Sequence, residues 1–156
     1  MKQLLKLILC LTLPLLIGGV SGIATSSNIN TWFVYLSKPF FNPPSYLFTP
    51  VWATLYLLMG YSLYRILNQP HSLYRKQAVT AFSVQLFLNF SWSFLFFQFH
   101  LLGLALCEIF LLLASIIWMV GAFYKIDKKA AYVNIPYIMW VSFASILNGS
   151  FWWLNR

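Results

Sequence analysis

Long apolar runs alternate with polar or proline-rich stretches along this chain, and five runs stand out, over roughly residues 4–25, 46–66, 78–99, 102–124 and 131–153. Each is about the length that an α-helix needs to cross the hydrocarbon core of a bilayer. The runs lack the alternation of barrel strands and are too long for them, so all five are expected to be helices. Between the first two lies a loop over about 26–45, polar at its start and ending in Lys38-Pro39-Phe40-Phe41-Asn42-Pro43-Pro44. Its prolines restrict the backbone and remove donors, which makes a stiff segment suited to covering one end of a bundle. The later connections are shorter, around Asn68-Gln69-Pro70-His71, around His100, and around Lys125-Ile126-Asp127-Lys128-Lys129. The one at His100 is so brief that the third and fourth helices should form an antiparallel hairpin. No repeat, linker or low-complexity tract interrupts the pattern, so residues 1–156 are read as a single domain.

Composition turns this pattern into a class. The chain is 61% hydrophobic and only 8% charged over 156 residues, more apolar surface than a soluble domain of that size can hide. An all-α, multi-pass integral membrane bundle is expected. The net charge is +8, and Glu108 and Asp127 are the only acids. With five spans, one side of the bilayer carries Lys2, Lys6, Arg65, Arg75, Lys76, Lys125, Lys128 and Lys129, and the other carries Lys38 and Arg156. That bias places the N-terminus in the cytoplasm and the proline-rich loop on the outer face of the cell membrane. The cations are scattered over loops and form no stripe for nucleic acid. Met1-Lys2-Gln3 followed by Leu4 to Ile17 and Gly18-Gly19 has the outline of a signal peptide. We expect it to be retained as the first helix, which keeps the charge pattern consistent. Cys10 and Cys107 both fall in apolar runs and are read as packing residues. No spacing of His71, His100 and these cysteines suits a metal, and no phosphate loop or nucleophile motif is found.

Two polar stripes carry the candidate chemistry. The third run places Gln85, Asn89, Trp92 and Ser93 on one helix face, and the fifth does the same with Tyr137, Trp140, Ala144, Leu147 and Asn148. An amide in hydrocarbon is costly unless it meets a partner, a cavity or a ligand. Two readings follow: hydrogen bonds that join the helices, or a pocket for a large, flat, mostly apolar molecule with polar edges. In the second run Trp52 and Tyr56 share a face with Met59 and Gly60. Trp32 is either an interfacial anchor or part of the covering loop. Glu108 lies inside a span and is either a functional acid or a neutral structural one. Pro136 should kink the last helix or open its first turn.

The string Lys38-Pro39-x-x-x-Pro43-Pro44, then Pro50-Val51-Trp52-x-Thr54-Leu55-Tyr56-x-x-Met59-Gly60-Tyr61, resembles the translocator protein/tryptophan-rich sensory protein family, TspO/MBR. So do Gln85-Leu86-x-Leu88-Asn89-x-x-Trp92-Ser93 with Phe96-Phe97, and Pro136-Tyr137-x-x-Trp140-x-x-Phe143-Ala144-x-x-Leu147-Asn148. The resemblance extends over all five runs, and the short C-terminal end leads us to expect a bacterial-type member. It implies a five-helix bundle, often a homodimer, with a pocket beneath the first loop that binds porphyrins such as protoporphyrin IX, and isoquinoline carboxamides. By position the resemblance assigns ligand contacts to Trp52, Asn89, Trp92, Tyr137, Trp140, Ala144 and Leu147, with Trp32 and Pro43 from the loop; Tyr56 joins them through the face that it shares with Trp52. The family's cholesterol pattern needs a Tyr after the Leu-Asn of the last helix. Here Gly149-Ser150-Phe151 follows, so sterol recognition is not expected. Where many members have Trp-Tyr in the first loop, this chain has Trp32-Phe33.

Three functions are then open. The leading one is a receptor or sensor for porphyrin-like ligands, in which the Trp-bearing faces stack on the tetrapyrrole and Lys38 or loop N–H groups meet its propionates. In the second, Trp52 and Trp140 donate electrons to a photoexcited porphyrin and support its light-dependent oxidative breakdown, so that the porphyrin is a substrate. The third is transport of tetrapyrroles or other small hydrophobic ligands, although no inverted repeat of the alternating-access kind is visible. None of them requires an obligatory cofactor or a metal.

Overall fold

The first helix outruns its apolar stretch: α1 spans Lys2–Ile29. In this computed structural model, which describes residues 1–156 apart from the side chain of Ala24, the hydroxyls of Ser21 and Thr25 donate to the carbonyls of Ile17 and Ser21, each at 3.0 Å. Ser26 donates likewise to Ile23. Polar side chains that serve their own helix let it continue where hydropathy alone predicts a loop. The covering loop therefore starts at Asn30 and holds two short 3-10 turns, Phe33–Tyr35 and Ser45–Leu47.

The remaining helices are α2 (Phe48–Leu67), α3 (Leu73–Ser93), α4 (Leu102–Tyr124), α5 (Lys128–Tyr132) and α6 (Ile135–Leu154). α3 begins before its apolar run because the Ser72 side chain caps it, accepting from the Arg75 N–H at 3.1 Å. At its far end α3 widens into a π-helical turn, Phe94–Gln98. The chain then reverses at His100, whose positive φ of 59° is tolerated by few residue types. The last apolar run is not one helix. Asp127 caps the short α5, the chain opens at Val133 and Asn134, and α6 restarts with Pro136 in its first turn, where a missing N–H costs little.

Among the described residues the structure is helical, without strands. Four stretches are long and apolar enough to cross a membrane: Lys2–Ile29, Leu73–Gln98, Leu102–Tyr124 and Lys128–Leu154. α2 has 20 residues, about 30 Å of helix, but its Trp, Tyr and Arg side chains lower its apolarity. Met59, Ile66, Ala81, Phe82, Ile116, Met119 and Val141 lock α2, α3, α4 and α6 around one core.

At Gly60 the backbones of α1 and α2 come into close contact. A Cβ there would lie 2.5 Å from the Cys10 carbonyl oxygen and 2.7 Å from the Leu11 Cα. Near the same end Lys6 Nζ donates to the Leu67 carbonyl at 2.6 Å and to Asn68 Oδ1 at 2.8 Å. Toward the loop the pair diverges. Gly18 still touches the Tyr56 ring, whereas a Cβ at Gly19 or Gly22 would meet nothing within 4 Å.

Opposite the loop, Arg65 Nε donates to Asp127 Oδ2 at 2.8 Å. Burial pushes the Asp127 carboxyl up. The Arg65 bond and the N–H groups of Ala130 and Lys129 outweigh it and hold the carboxyl below its ordinary 3.8. A depressed folded-state value gives stability that is complete above the ordinary carboxylate range and is lost as pH falls through the folded value. The melting temperature should therefore drop as pH goes from about 5 to about 3, and Asp127→Asn should remove that part of the slope; equal slopes in both proteins would contradict the assignment.

Candidate functional site

The wedge between α1 and α2 is a cavity of about 370 Å³. Gly18, Gly19, Gly22 and Thr25 of α1 form one wall. Phe48, Trp52 and Tyr56 of α2 form the second, and Trp92 and Phe97 close the back. Phe33 enters from the loop. A second space of about 30 Å³ lies behind, against Trp140, Ala144, Leu147, Asn148 and Phe151 of α6. Phe33, Phe48, Trp52, Trp92 and Phe97 border both spaces, so an aromatic partition separates them.

Local structure aims each of these rings. Trp52 and Tyr56, one turn apart, stack with centroids 5.6 Å apart. Phe48 meets the Trp140 ring edge-on at 5.9 Å. Trp92 Nε1 donates to Asn148 Oδ1 at 3.0 Å, and Asn148 Nδ2 donates to the Leu102 carbonyl at 3.1 Å, so the partition is anchored to α6 and α4. The π-helical turn changes the angular step after α3, and both Phe96 and Phe97 within it are buried.

Of the residues expected at a site, Trp52, Tyr56, Trp92, Trp140, Ala144 and Leu147 border one or both spaces. Asn89 and Tyr137 do not. They belong to a buried chain of hydrogen bonds: Tyr56 Oη donates to Asn89 Oδ1 at 2.7 Å, Asn89 Nδ2 to Tyr137 Oη at 3.0 Å, and Tyr137 Oη to Gln85 Oε1 at 2.9 Å. Of the two readings of the polar stripes, helix joining describes Gln85, Asn89 and Tyr137. Trp32 stacks on His100 at 4.1 Å and meets Phe96 edge-on at 6.0 Å, at the rim. Pro43 is half-buried in the loop. Neither lines a cavity; their neighbour Phe33 does. Glu108 accepts from Ser91 Oγ at 3.0 Å. Its other oxygen is buried without a partner among the described residues, and it borders neither space. Trp140 Nε1 is also buried and unpartnered among the described residues.

Sequence reasoning missed the α1 wall and Phe33. The signal for the first was present in Gly18-Gly19-x-x-Gly22, small residues that recur on one helix face.

The loop is fastened at its middle. Ser37 N–H donates to Asn155 Oδ1 at 2.8 Å, and Asn155 Nδ2 donates to the Ser37 carbonyl at 3.0 Å. Each bond contributes about 1 kcal/mol. Asn155→Ala should therefore raise amide hydrogen exchange over residues 33–41 by about tenfold or more, and unchanged protection would show that the loop is held elsewhere. Nearby, the Lys38 ammonium lies 5.2 Å from the Phe33 ring centroid.

The family model for the TspO/MBR family matches residues 10–154. The chain is 37% identical to tryptophan-rich protein TspO of Chlorobaculum tepidum, over 99% of this chain and 98% of that protein. It is 36% identical to the protein of the same name from Archaeoglobus fulgidus, over 98% and 99% of the two chains. It is 33% identical to the translocator protein of Bos taurus, over 92% and 86%.

Proposed function

As the chain belongs to the TspO/MBR family, we propose that this multi-pass membrane protein is a receptor for porphyrins such as protoporphyrin IX, held between α1, α2 and α6 beneath the loop. The observation that carries the reading is the aromatic partition: Trp52 and Trp92 present rings to a cavity of about 370 Å³ and to the space beyond it. Small-molecule sites are typically about 300–1,000 Å³, largely apolar, with few polar groups. A tetrapyrrole stacks on Trp52 and Trp92, displaces the partition toward Trp140, Ala144 and Leu147, and offers an acceptor to Trp140 Nε1. Its propionates meet Lys38 at the loop. Isoquinoline carboxamides, flat with one polar edge, suit the same walls. In this reading α2 is the fifth span, the protein works in the bilayer as a homodimer, and no cofactor is obligatory.

Trp52 and Trp140 both line the inner space, which favours one second reading, in which they donate an electron to a photoexcited porphyrin, the reduced porphyrin passes it to dissolved dioxygen, and the reactive oxygen species so formed is the oxidant that breaks the macrocycle down. Protoporphyrin is titrated in the dark and then illuminated, with wild type, Trp52→Phe and Trp140→Phe. Phe keeps most of the apolar contact, so dark affinity should fall by only about 1 kcal/mol. Light-dependent loss of porphyrin that vanishes in both variants supports the chemistry; decay unchanged in both leaves a binding protein. Porphyrin flux across liposomes would favour transport instead.

The orientation rests on the distribution of Lys and Arg. In a background with Cys10 and Cys107 replaced by Ala, Ser37→Cys should react with an impermeant thiol label from outside intact cells, and Ser72→Cys only after permeabilisation. The reverse pattern would invert the topology.

A further inference from the structure

The larger cavity has features that a flat ligand does not require. It follows α1 from Leu15 to Ile29, about 21 Å along the helix axis. It is closed at one end by the Gly60 crossing and widens toward the loop. Its lips, Gly19, Gly22 and Ser26 on one side and Ser45 and Thr49 on the other, are exposed. The next residues around α1, Leu16, Val20 and Ile23, are exposed apolar side chains. The mouth thus opens sideways, at the level where α1 faces lipid.

We propose that this slot holds one acyl chain of an anionic phospholipid from the leaflet on the loop side. An acyl chain runs along the membrane normal, as the slot does. It spans about half of the roughly 30 Å hydrocarbon core, or about 15 Å, the rise from Leu15 to Thr25, so that part of the slot takes one chain from one leaflet and the remainder, toward Ile29, lies at the headgroup level. The interior matches an apolar occupant: the hydroxyls of Ser21 and Thr25 donate to carbonyls of their own helix, as does that of Ser26 at the lip. At the loop end the headgroup meets a cation, the Lys38 ammonium above Phe33, and Phe33 is part of the slot wall. Because the slot and the inner space share the aromatic partition, an acyl chain and a porphyrin exclude one another.

The test uses no porphyrin, so its outcome is independent of the receptor reading. The full chain is placed in phosphatidylcholine nanodiscs doped with phosphatidylglycerol whose acyl chain carries a mid-chain diazirine. After photolysis the adducts are mapped by peptide mass spectrometry. Adducts should concentrate on residues 18–29 and 48–56, about fivefold over the exposed α4 face around Phe110 and Trp118, the ratio expected for a preference near 1 kcal/mol. Gly22→Leu, whose side chain enters open space, should cut the slot adducts by about fivefold. Gly121→Leu, equally unhindered but on α4, should leave them unchanged. Adducts spread evenly over all exposed apolar faces, or slot adducts untouched by Gly22→Leu, would overturn the proposal.

Discussion

Gly60→Leu is expected to destabilise the protein by about 3 kcal/mol, at the upper end for overpacking. Even a Cβ at this position would lie 2.5 Å from the Cys10 carbonyl oxygen. The atoms in the way are backbone, so no rotamer change relieves the contact and α1 must move bodily. Such a shift separates Lys6 from the Leu67 carbonyl and Asn68 and breaks the wedge on which the large cavity depends. Thermal unfolding in lipid nanodiscs measures the loss. Gly19→Leu is the control, because a Cβ there meets nothing within 4 Å, and its effect should stay within about 0.5 kcal/mol. Equal melting temperatures for the two variants would mean that α1 and α2 are not held together at Gly60.

Asn89→Leu should cost about 2 kcal/mol of stability. It removes both an acceptor for Tyr56 and a donor to Tyr137, and each interhelical bond of this kind contributes roughly 1 kcal/mol in a bilayer. Tyr137→Phe, which leaves Gln85 Oε1 without its donor and Asn89 Nδ2 without its acceptor, should likewise cost about 2 kcal/mol. Porphyrin affinity in the dark should change less than about threefold in both variants, since neither Asn89 nor Tyr137 borders a cavity and the network reaches the large one only through Tyr56; about 0.6 kcal/mol is all that indirect loosening is asked to supply. Loss of binding with stability intact would place Asn89 at the ligand instead.

What the sequence discloses and what it hides can be traced to particular residues. The apolar runs disclose the helices because hydrocarbon forces backbone groups to pair within the chain. Their ends are less legible. Thr25, Ser26, Ser27 and Asn28 look like a loop by polarity, yet α1 continues through Ile29, because hydroxyls can bond their own helix. The capping serine at position 72 marks the start of α3, but Arg75 and Lys76 mask it by interrupting the apolar pattern. Pro136 marks a break in the last run, though not the separate α5 before it.

For the site, spacing identifies the faces of Trp52, Trp92 and Trp140 but cannot say which polar groups on those faces are already satisfied. Asn89 and Asn148 occupy equivalent places in their stripes. Only packing shows that Asn89 bonds two tyrosines across helices, while Asn148 steadies a cavity tryptophan. The choice between Trp32 and Phe33 as the ring that enters the cavity is set by a short 3-10 turn, which carries no strong local signal.

The central claim is that the space bordered by Trp52 and Trp92 is where a porphyrin binds. It is tested most directly by a dark titration of protoporphyrin IX into the full chain in nanodiscs, wild type beside Ala53→Phe, with the porphyrin absorption band as readout. Ala53 lines the large cavity, so the added ring fills ligand space without removing an aromatic wall. The account predicts a saturable shift of the band in wild type and an affinity about tenfold weaker or more in Ala53→Phe, a difference of roughly 1.4 kcal/mol. A saturable shift with the same affinity in both proteins, or no saturable shift in wild type, would contradict it.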